Sequence, residues 1–298
     1  MVYNKTFKGV LLLLVFCHSI FLFGQSKRDF KVFAVSDNYN NEVKNFIKNN
    51  SALESIKILK GFQIDPYKNG EININSIRKN LAKMYPKSDA SGVLCLNIEN
   101  KQYQNLKNFG TNTNEYKHAI IELNKMISTV RKFRPNLKIG IYGMPFRFYY
   151  SAQNKPNMNK ALDGLLRNCD YLFPSMYILF TNSEIGEQKN LEYLNDNLEV
   201  ALEYGERLKK DVVPFVWYGI HTNNKKFGSQ LIPKETMMKF VDHMKSYSRS
   251  GNNIKGIVWW DGQVTENATN PRLLNNEKKV LDKNSIILDY MSDFISTF

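Results

Sequence analysis

The sequence predicts an α/β protein of the TIM type, a distorted (β/α) barrel of about seven parallel strands. Two observations support this prediction. From residue 29 onward, short apolar segments alternate with longer segments in which apolar residues recur at spacings of three and four. The apolar segments also end in acidic and aromatic residues, and (β/α) barrels collect their functional side chains at these carboxyl ends of the strands.

Seven apolar segments are candidates for the strands. Their nearly continuous apolar character is typical of strands that are buried on both faces of a parallel sheet. They cover residues 30–36, 61–65, 92–99, 138–143, 171–177, 212–218 and 256–260. Since helical patterns separate these segments, a parallel sheet covered by helices is expected.

The helical patterns each place one apolar stripe along a helix. Three stripes are clear: Ile120, Leu123, Ile127 and Val130; Leu191, Leu194, Leu198 and Ala201; Met237, Val241, Met244 and Tyr247. Pro233, followed by Lys234 and Glu235, suits the first turn of the third helix. Residues 275–296 predict a further, terminal helix, in which Ile287, Tyr290 and Ile295 are available for packing.

A doubly wound open sheet would show the same alternation of strands and helices. Such a sheet usually has a glycine-rich first loop when it binds a dinucleotide, whereas residues 37–42 here read DNYNNE, without glycine. The strand ends instead carry carboxylates and aromatic rings: Asp65, Glu99, Tyr142, Tyr177, Tyr218, Trp260 and Asp261. The barrel is therefore the favoured closure.

The first residues predict a targeting segment. Lys5 and Lys8 precede an apolar run over residues 10–23, and Gly24 supplies a small residue, as in a secretory signal peptide. A membrane anchor is the alternative, but the run is shorter than the roughly 20 residues that span a bilayer. We predict a signal peptide at residues 1–24 and a single barrel domain at residues 25–298. The protein is then secreted or periplasmic, with no stable membrane anchor.

The charge balance favours anionic partners. The chain carries +13, and loss of residues 1–24 removes Lys5 and Lys8 and no acid, which leaves +11. The lysines are scattered and form no nucleic-acid motif, so an acidic polysaccharide is preferred to nucleic acid. No metal-ligand spacing is present and no cofactor is predicted. Cys95 and Cys169, beside predicted strands, are expected to be buried thiols.

The segment GVLCLNIE, residues 92–99, holds the best candidate for a catalytic acid. Asn97 and Glu99 are two positions apart, which points both side chains to the same side of a strand. Partial burial would raise the carboxyl pKa of Glu99 towards the working range of a general acid. Carboxylates surrounded by Tyr and Trp are typical of sugar-cleaving sites, which commonly use two acids. Asp65 and Asp261 are the candidates for the second.

Five segments carry a resemblance to a known family. They are LNIE at 96–99, IGIYGMP at 139–145, DYLFPSMY at 170–177, VVPFVWY at 212–218 and GIVWWDG at 256–262. In this order and at these spacings, they resemble motifs of the hyaluronidase family of glycoside hydrolases, the group of the bee-venom and sperm enzymes. The resemblance extends from about residue 60 to 270.

The resemblance implies a site as well as a fold. In that family a glutamate at the place of Glu99 is general acid and base, and the substrate's own N-acetyl carbonyl is the nucleophile, with retained configuration. Tyr142, Tyr177 and Trp260 match the residues that hold the acetamido group, and Tyr218 is a further candidate. The family has an aspartate where this chain has Asn97. The amide still forms hydrogen bonds but carries no charge to raise the pKa of Glu99.

These observations favour a secreted glycoside hydrolase that cleaves an N-acetylhexosamine-containing, hyaluronan-like or chondroitin-like polysaccharide. Two alternatives stay open: a carbohydrate-binding barrel without activity, and a glycosidase that uses Glu99 with Asp65 or Asp261. The loop at residues 144–158 is expected to contribute to the sugar groove, with Arg147 binding an acidic polymer.

Overall fold

A computed structural model describes residues 30–35, 37–148, 161–265 and 280–296. The predicted signal peptide, and most of the loop that follows Arg147, lie outside the described residues. The contacts divide the chain into Met1–Phe30 and Lys31–Phe298, and the second unit holds all the strands and helices named below. Among the described helices, none combines the length and the apolar character needed to cross a bilayer.

The described strands are all parallel where they pair in register. They are β1 (Lys31–Val35), β2 (Leu53–Lys60), β3 (Gly92–Asn97), β4 (Leu137–Ile141), β5 (Tyr171–Leu172), β6 (Asp211–Val212), β7 (Phe215–Val216) and β8 (Gly256–Trp259). Six of them form one sheet in the order β4-β3-β2-β1-β8-β7, and β5 pairs with β6. The predicted α/β class and parallel sheet are therefore confirmed.

Backbone hydrogen bonds outside the regular ladders close the sheet into a barrel. Asp170 N donates to Ile139 O over 2.7 Å, which joins the β5 segment to β4. Phe215 N donates to Pro174 O over 2.8 Å, which joins it to β7. Strands β6 and β7 are two parts of one segment interrupted at Pro214, so together they count as one strand of the barrel. The described chain therefore forms a barrel of seven strands, as predicted.

Helices cover the outside of the barrel. They are α1 (Asn41–Asn49), α2 (Gly61–Ile64), α3 (Ile74–Met84), α4 (Lys101–Asn108), α5 (Asn114–Phe133), α6 (Asp163–Leu166), α7 (Asn182–Ile185), α8 (Glu187–Leu208), α9 (Lys234–Ser246) and α10 (Lys283–Ser296). Each of the three predicted apolar stripes lies on one of the helices α5, α8 and α9, although Tyr247 follows the last residue of α9.

The helix ends are explained by local sequence. The Thr113 side chain accepts a hydrogen bond from Tyr116 N at the start of α5, as a good N-cap does. Helix α9 begins at Lys234, directly after Pro233, as predicted. The terminal helix α10 buries Ile287 and Tyr290 as expected, but Phe294 rather than Ile295 is its last fully buried residue.

The predicted strand at residues 61–65 is wrong. Residues Gly61–Ile64 form the short helix α2, and the barrel strand of this region is β2, directly before the helix. The Gln63 side chain accepts a hydrogen bond from Lys60 N, and Asp65 N donates to Gly61 O over 2.7 Å, so a helical turn satisfies this backbone. Charged residues obscure β2 in the sequence, since Glu54 pairs with Lys31 and Lys57 donates to Met84 O.

The strands β4 and β5 approach each other unusually closely. A Cβ atom added at Gly140 would lie 2.6 Å from Phe173 Cδ2 and 2.6 Å from Tyr171 O, which no real side chain tolerates. Glycine at this position therefore permits the contact. Cys95 and Cys169 are buried free thiols, as expected, and burial raises the pKa of Cys169 to about 12.

Candidate active site

A cavity of about 500 Å³ opens at the carboxyl ends of the strands. Side chains from the segments after β3, β4, β5, β7 and β8 contribute to its walls. The lining includes Asn97, Glu99, Tyr103, Lys107, Tyr142, Phe146, Arg147, Ser175, Tyr177, Phe215, Trp217, His221 and Trp260. Among the described residues, Glu99 is the one carboxylate that lines this cavity.

Glu99 lies between a strand and a helix that fix its position. Strand β3 ends at Asn97, the next side chain, Ile98, is fully buried, and Asn100 caps α4 by accepting from Gln102 N. The Glu99 side chain is open to solvent at the cavity, yet desolvation by the surrounding walls raises its carboxyl pKa above the ordinary value. The positive charges of Arg147 and Lys107 act in the opposite direction.

Asn97 lines the same cavity as Glu99, which fits the predicted common side of the two residues. It is half-buried and pairs in register with Lys60 of β2. Because an amide remains neutral, Asn97 adds hydrogen-bonding groups beside Glu99 but no charge.

Aromatic rings form the wall beyond Glu99. Tyr177 and Trp260 stack with ring centroids 5.7 Å apart and an interplanar angle of 21°. Trp217 packs edge-on against Trp260 at 5.1 Å, and Tyr142 lies 6.2 Å from the Tyr177 ring. Burial raises the pKa of both tyrosine hydroxyls, so both stay protonated and remain hydrogen-bond donors near neutral pH. The wall therefore offers apolar ring faces together with neutral donors.

Arg147 crosslinks two segments of this wall. Its Nη1 donates to Ser175 Oγ over 2.9 Å, and its Nη2 lies 2.7 Å from His221 Nε2. Ser175 Oγ also accepts from the Tyr142 hydroxyl at 3.4 Å. Burial, helped by the charge of Arg147, lowers the pKa of His221 to about 4, so the imidazole is neutral above that pH. The cation of this cluster is therefore Arg147.

Tyr218 does not line the cavity. It is fully buried, and its ring packs against Tyr290 of α10 at a centroid distance of 6.0 Å. Successive residues of an extended segment face opposite sides, so its neighbour Trp217 turns towards the cavity instead. The expectation of a sugar contact at Tyr218 is corrected accordingly.

The two candidate second carboxylates are engaged elsewhere. Asp65 is buried, and its oxygens accept from Asn69 N at 3.2 Å, Gly70 N at 2.9 Å and Asn100 Nδ2 at 3.0 Å. Asp261 is also buried and accepts from Asn38 Nδ2 at 2.7 Å. Neither lines the cavity, so the structure does not support either as the partner of Glu99 within it.

Several cavity residues do not stand out in the sequence. The pattern around Ser175 suggests a bend residue, and that around His221 suggests an ordinary loop residue. Trp217 lies in the segment VVPFVWY, in which the strand-end pattern favours its neighbour Tyr218, and Lys107 belongs to no motif. The alternation of side chains supplies one usable signal: Ser175 is two positions from Tyr177, so the two share a side. Lys107 lies on α4, and only the folded chain brings it near Glu99. No group of three His, Cys, Asp or Glu suited to a metal occurs in the described chain.

Comparisons with known proteins agree with this architecture. No model of a known protein family matches the sequence. A hyaluronidase from Polybia paulista is 23% identical over 162 residues, which are 51% of this chain and 52% of the relative. The chain thus aligns with about half the length of the curated relative that it matches.

Two solved structures extend the likeness over most of the chain. A monoclinic crystal structure of bee venom hyaluronidase matches with a TM-score of 0.56 and 13% identity, covering 90% of this chain and 98% of that one. Bee venom hyaluronidase in complex with a hyaluronic acid tetramer matches with a TM-score of 0.57 and 14% identity, over the same shares. These two matches confirm the barrel fold. The sequence match to the Polybia paulista hyaluronidase agrees with the remote resemblance of the sequence motifs.

Proposed function

We propose that the protein is a glycoside hydrolase that cleaves a polysaccharide containing N-acetylhexosamine. The observation that carries this proposal is one carboxylate with a raised pKa, Glu99, facing an aromatic cavity wall. Stacked rings bind the apolar faces of sugars, and a carboxylic acid protonates the leaving oxygen. The family resemblance supports the same assignment.

Glu99 serves as the general acid and then as the general base. Its raised pKa keeps a larger protonated fraction at a given pH, as proton donation to the glycosidic oxygen requires. After the leaving group departs, the Glu99 carboxylate accepts a proton from the attacking water. One residue performs both steps, as in other retaining glycosidases.

The nucleophile is the substrate's own acetamido group. No second carboxylate lines the described part of the cavity, so the two-acid arrangement lacks its partner. The acetamido carbonyl oxygen attacks the anomeric carbon while the glycosidic C–O bond breaks and the Glu99 proton moves to the leaving oxygen. Water then opens the oxazolinium ring and restores the acetamido group with retained configuration. The protonated hydroxyls of Tyr142 and Tyr177 are suited to hold this group.

An anionic polymer fits the charge of the site. Arg147 and Lys107 line the cavity and bring positive charge to it. Among the described residues of the lining, Glu99 is the one acid. The excess positive charge of the whole chain acts in the same direction. Secretion through residues 1–24 would bring the protein to such polymers.

Asn97 favours one competing function, a barrel that binds carbohydrate without cleaving it. The amide cannot supply the charge through which an aspartate raises the pKa of a neighbouring glutamate. Burial still raises the pKa of Glu99 without it, which supports activity.

Digestion of N-acetylated glycans by wild type and by Glu99→Gln, with product analysis by mass spectrometry, tests the proposal. We expect cleavage by wild type, loss of at least about 10³-fold in rate in the variant, and unchanged glycan binding. Tight inhibition by a thiazoline mimic of the oxazolinium intermediate supports acetamido assistance. Wild type that binds but cleaves none of these glycans establishes the binding barrel instead.

A further inference from the structure

The backbone of residues 260–262 is in direct contact with the two indole rings of the cavity wall. Trp217 Nε1 donates a hydrogen bond to Gly262 O over 3.1 Å. A Cβ atom added at Gly262 would lie 2.6 Å from Trp260 Cζ3 and 2.7 Å from Trp217 Cε2, so only a glycine allows this contact. The orientation of the Trp217 and Trp260 rings therefore depends on the position of this short segment.

Asp261, the middle residue of this segment, connects it to two other parts of the chain. Its Oδ2 accepts a hydrogen bond from Asn38 Nδ2, in the loop after β1, over 2.7 Å. Lys283 Nζ, on the first residue of α10, lies 3.9 Å from the same oxygen. None of these three side chains lines the cavity. The segment that supports the indoles is thus joined to the loop after the first strand and to the terminal helix.

The terminal helix holds Lys283 in a defined place. Further along α10, the Tyr290 hydroxyl donates to Ile232 O over 2.6 Å, which fixes the helix on the barrel. The Lys283 ammonium lies 5.4 Å from the centroid of the buried Tyr39 ring, within the range of a cation–π contact. Lys283 is therefore a positioned cation for Asp261, unlike a lysine that extends freely into solvent.

The burial of Asp261 has no explanation in the proposed reaction. Its side chain is 7% exposed, and a buried carboxylate is costly unless hydrogen bonds and an opposite charge stabilise it. Asn38 supplies the hydrogen bond and Lys283 supplies the charge. Because the carboxylate is stable only beside these partners, the backbone on either side of Asp261 is held in one place.

We propose that Asp261 is a positioning residue for carbohydrate binding, which holds the Trp217 and Trp260 rings in the orientation that a sugar meets. Lys283 and Asn38 act through Asp261, so the first residue of the terminal helix controls affinity in a cavity that it does not line. This inference rests on the proposed function, because it requires that a carbohydrate binds at the aromatic wall.

Circular dichroism tests the positioning role without any ligand. Trp217 and Trp260 lie 5.1 Å apart at an interplanar angle of 64°, so their electronic transitions couple and give a signal that depends on their mutual orientation. Trp260→Ala defines the loss of this signal. Asp261→Ala is expected to change the signal while the protein stays folded. Asn38→Ala, at an exposed residue, is expected to change it in the same direction and provides a second variant if Asp261→Ala does not fold.

Glycan binding, measured by calorimetry in the inactive Glu99→Gln background, tests the consequence for affinity. The probes are a neutral chitin hexasaccharide and an acidic hyaluronan hexasaccharide. We expect Asp261→Ala to weaken both about tenfold and Lys283→Met to weaken both about threefold, since ring orientation affects each sugar alike. Asp261→Ala combined with Lys283→Met should bind no more weakly than Asp261→Ala alone, because the two residues act as one unit.

Two lysine variants are the matched controls. Lys234 forms ion pairs with Asp289 and Asp293 of α10, so Lys234→Met loosens the same helix without removing a partner of Asp261. Lys117→Met removes the charge of an exposed lysine on α5. Both are expected to leave the indole signal unchanged and the two affinities within about twofold of the parent protein.

Three results would overturn the role of Asp261: an unchanged indole signal in the folded Asp261 and Asn38 variants, equal effects of Lys283→Met and Lys234→Met, or a loss of affinity confined to the acidic hexasaccharide. The last result would show that Lys283 acts only through its charge. These outcomes are separate from those of the proposed function. If wild type binds and cleaves no glycan, the proposed function fails, while the indole signal still decides whether Asp261 positions the two rings.

Discussion

Trp259 and Trp260 are consecutive residues that face opposite sides of the barrel wall. Trp259 is fully buried and packs against Phe294 of α10 at a centroid distance of 6.1 Å, whereas Trp260 is half-buried and stacks on Tyr177 in the cavity. One indole therefore packs against the outer helix, and the other lines the cavity.

This division predicts separable effects of two substitutions. Trp260→Ala removes a stacking face and should lower glycan affinity at least about tenfold, with only about 1 kcal/mol lost in unfolding free energy. Trp259→Ala should instead cost about 4 kcal/mol of stability through the cavity it leaves. Denaturant titration and calorimetric binding check both. Equal losses of affinity in the two folded variants would contradict the assignment.

Lys107→Met should move the pH profile of cleavage upward. The positive charge of Lys107 lowers the pKa of Glu99, so its removal raises that pKa. The general acid must be protonated, hence kcat/KM falls as the pH rises through its pKa. The alkaline limb of kcat/KM should therefore shift to higher pH. Lys117→Met is the control, and a shift to lower pH would reject the role of Lys107.

Asn97→Asp should shift the same limb in the same direction by a different cause. An ionised carboxylate beside Glu99 disfavours a second negative charge and raises the pKa of the acid. The pair then titrates together, so the profile reports apparent values of the pair. Measurement of kcat/KM across pH in Asn97→Asp and in Lys107→Met checks this shift. Circular dichroism reports whether either variant has lost its fold.

Arg147→Ala should weaken binding of an acidic polymer more than binding of a neutral one. The guanidinium is the cation of the Ser175 and His221 cluster, and it carries its charge at every accessible pH. The comparison belongs in the Glu99→Gln background, because Arg147 also lowers the pKa of Glu99. Equal weakening of hyaluronan and chitin oligosaccharides would argue for a purely steric role.

Asp65→Asn distinguishes a structural carboxylate from a catalytic one. The carboxylate accepts three hydrogen bonds, and an amide would turn its own N–H groups towards some of these donors. We expect a loss of about 2 kcal/mol in unfolding free energy and a turnover reduced less than about tenfold. A folded variant with turnover abolished and restored by azide would establish the two-carboxylate glycosidase.

The barrel can be predicted from the sequence, because the alternating apolar segments and helical stripes mark the side chains that are buried in the strands and helices. The prediction fails at β2, because Glu54 and Lys57 interrupt the apolar pattern while their side chains pair with other parts of the chain. For the site, strand-end residues such as Glu99 and Trp260 are accessible to prediction. Their partners are not: Lys107 lies on a helix, and His221 meets Arg147 only in the folded chain.

The seam between β4 and β7 has a consequence for engineering. The β5 segment fills this seam, and its ladder with β6 has two residue pairs. Aromatic contacts supplement this ladder, including the Tyr142 and Phe215 rings at 5.0 Å and the Phe173 and Phe215 rings at 5.7 Å. Tyr142 and Phe215 also line the cavity. Attempts to redirect specificity through these rings would therefore trade against thermal tolerance.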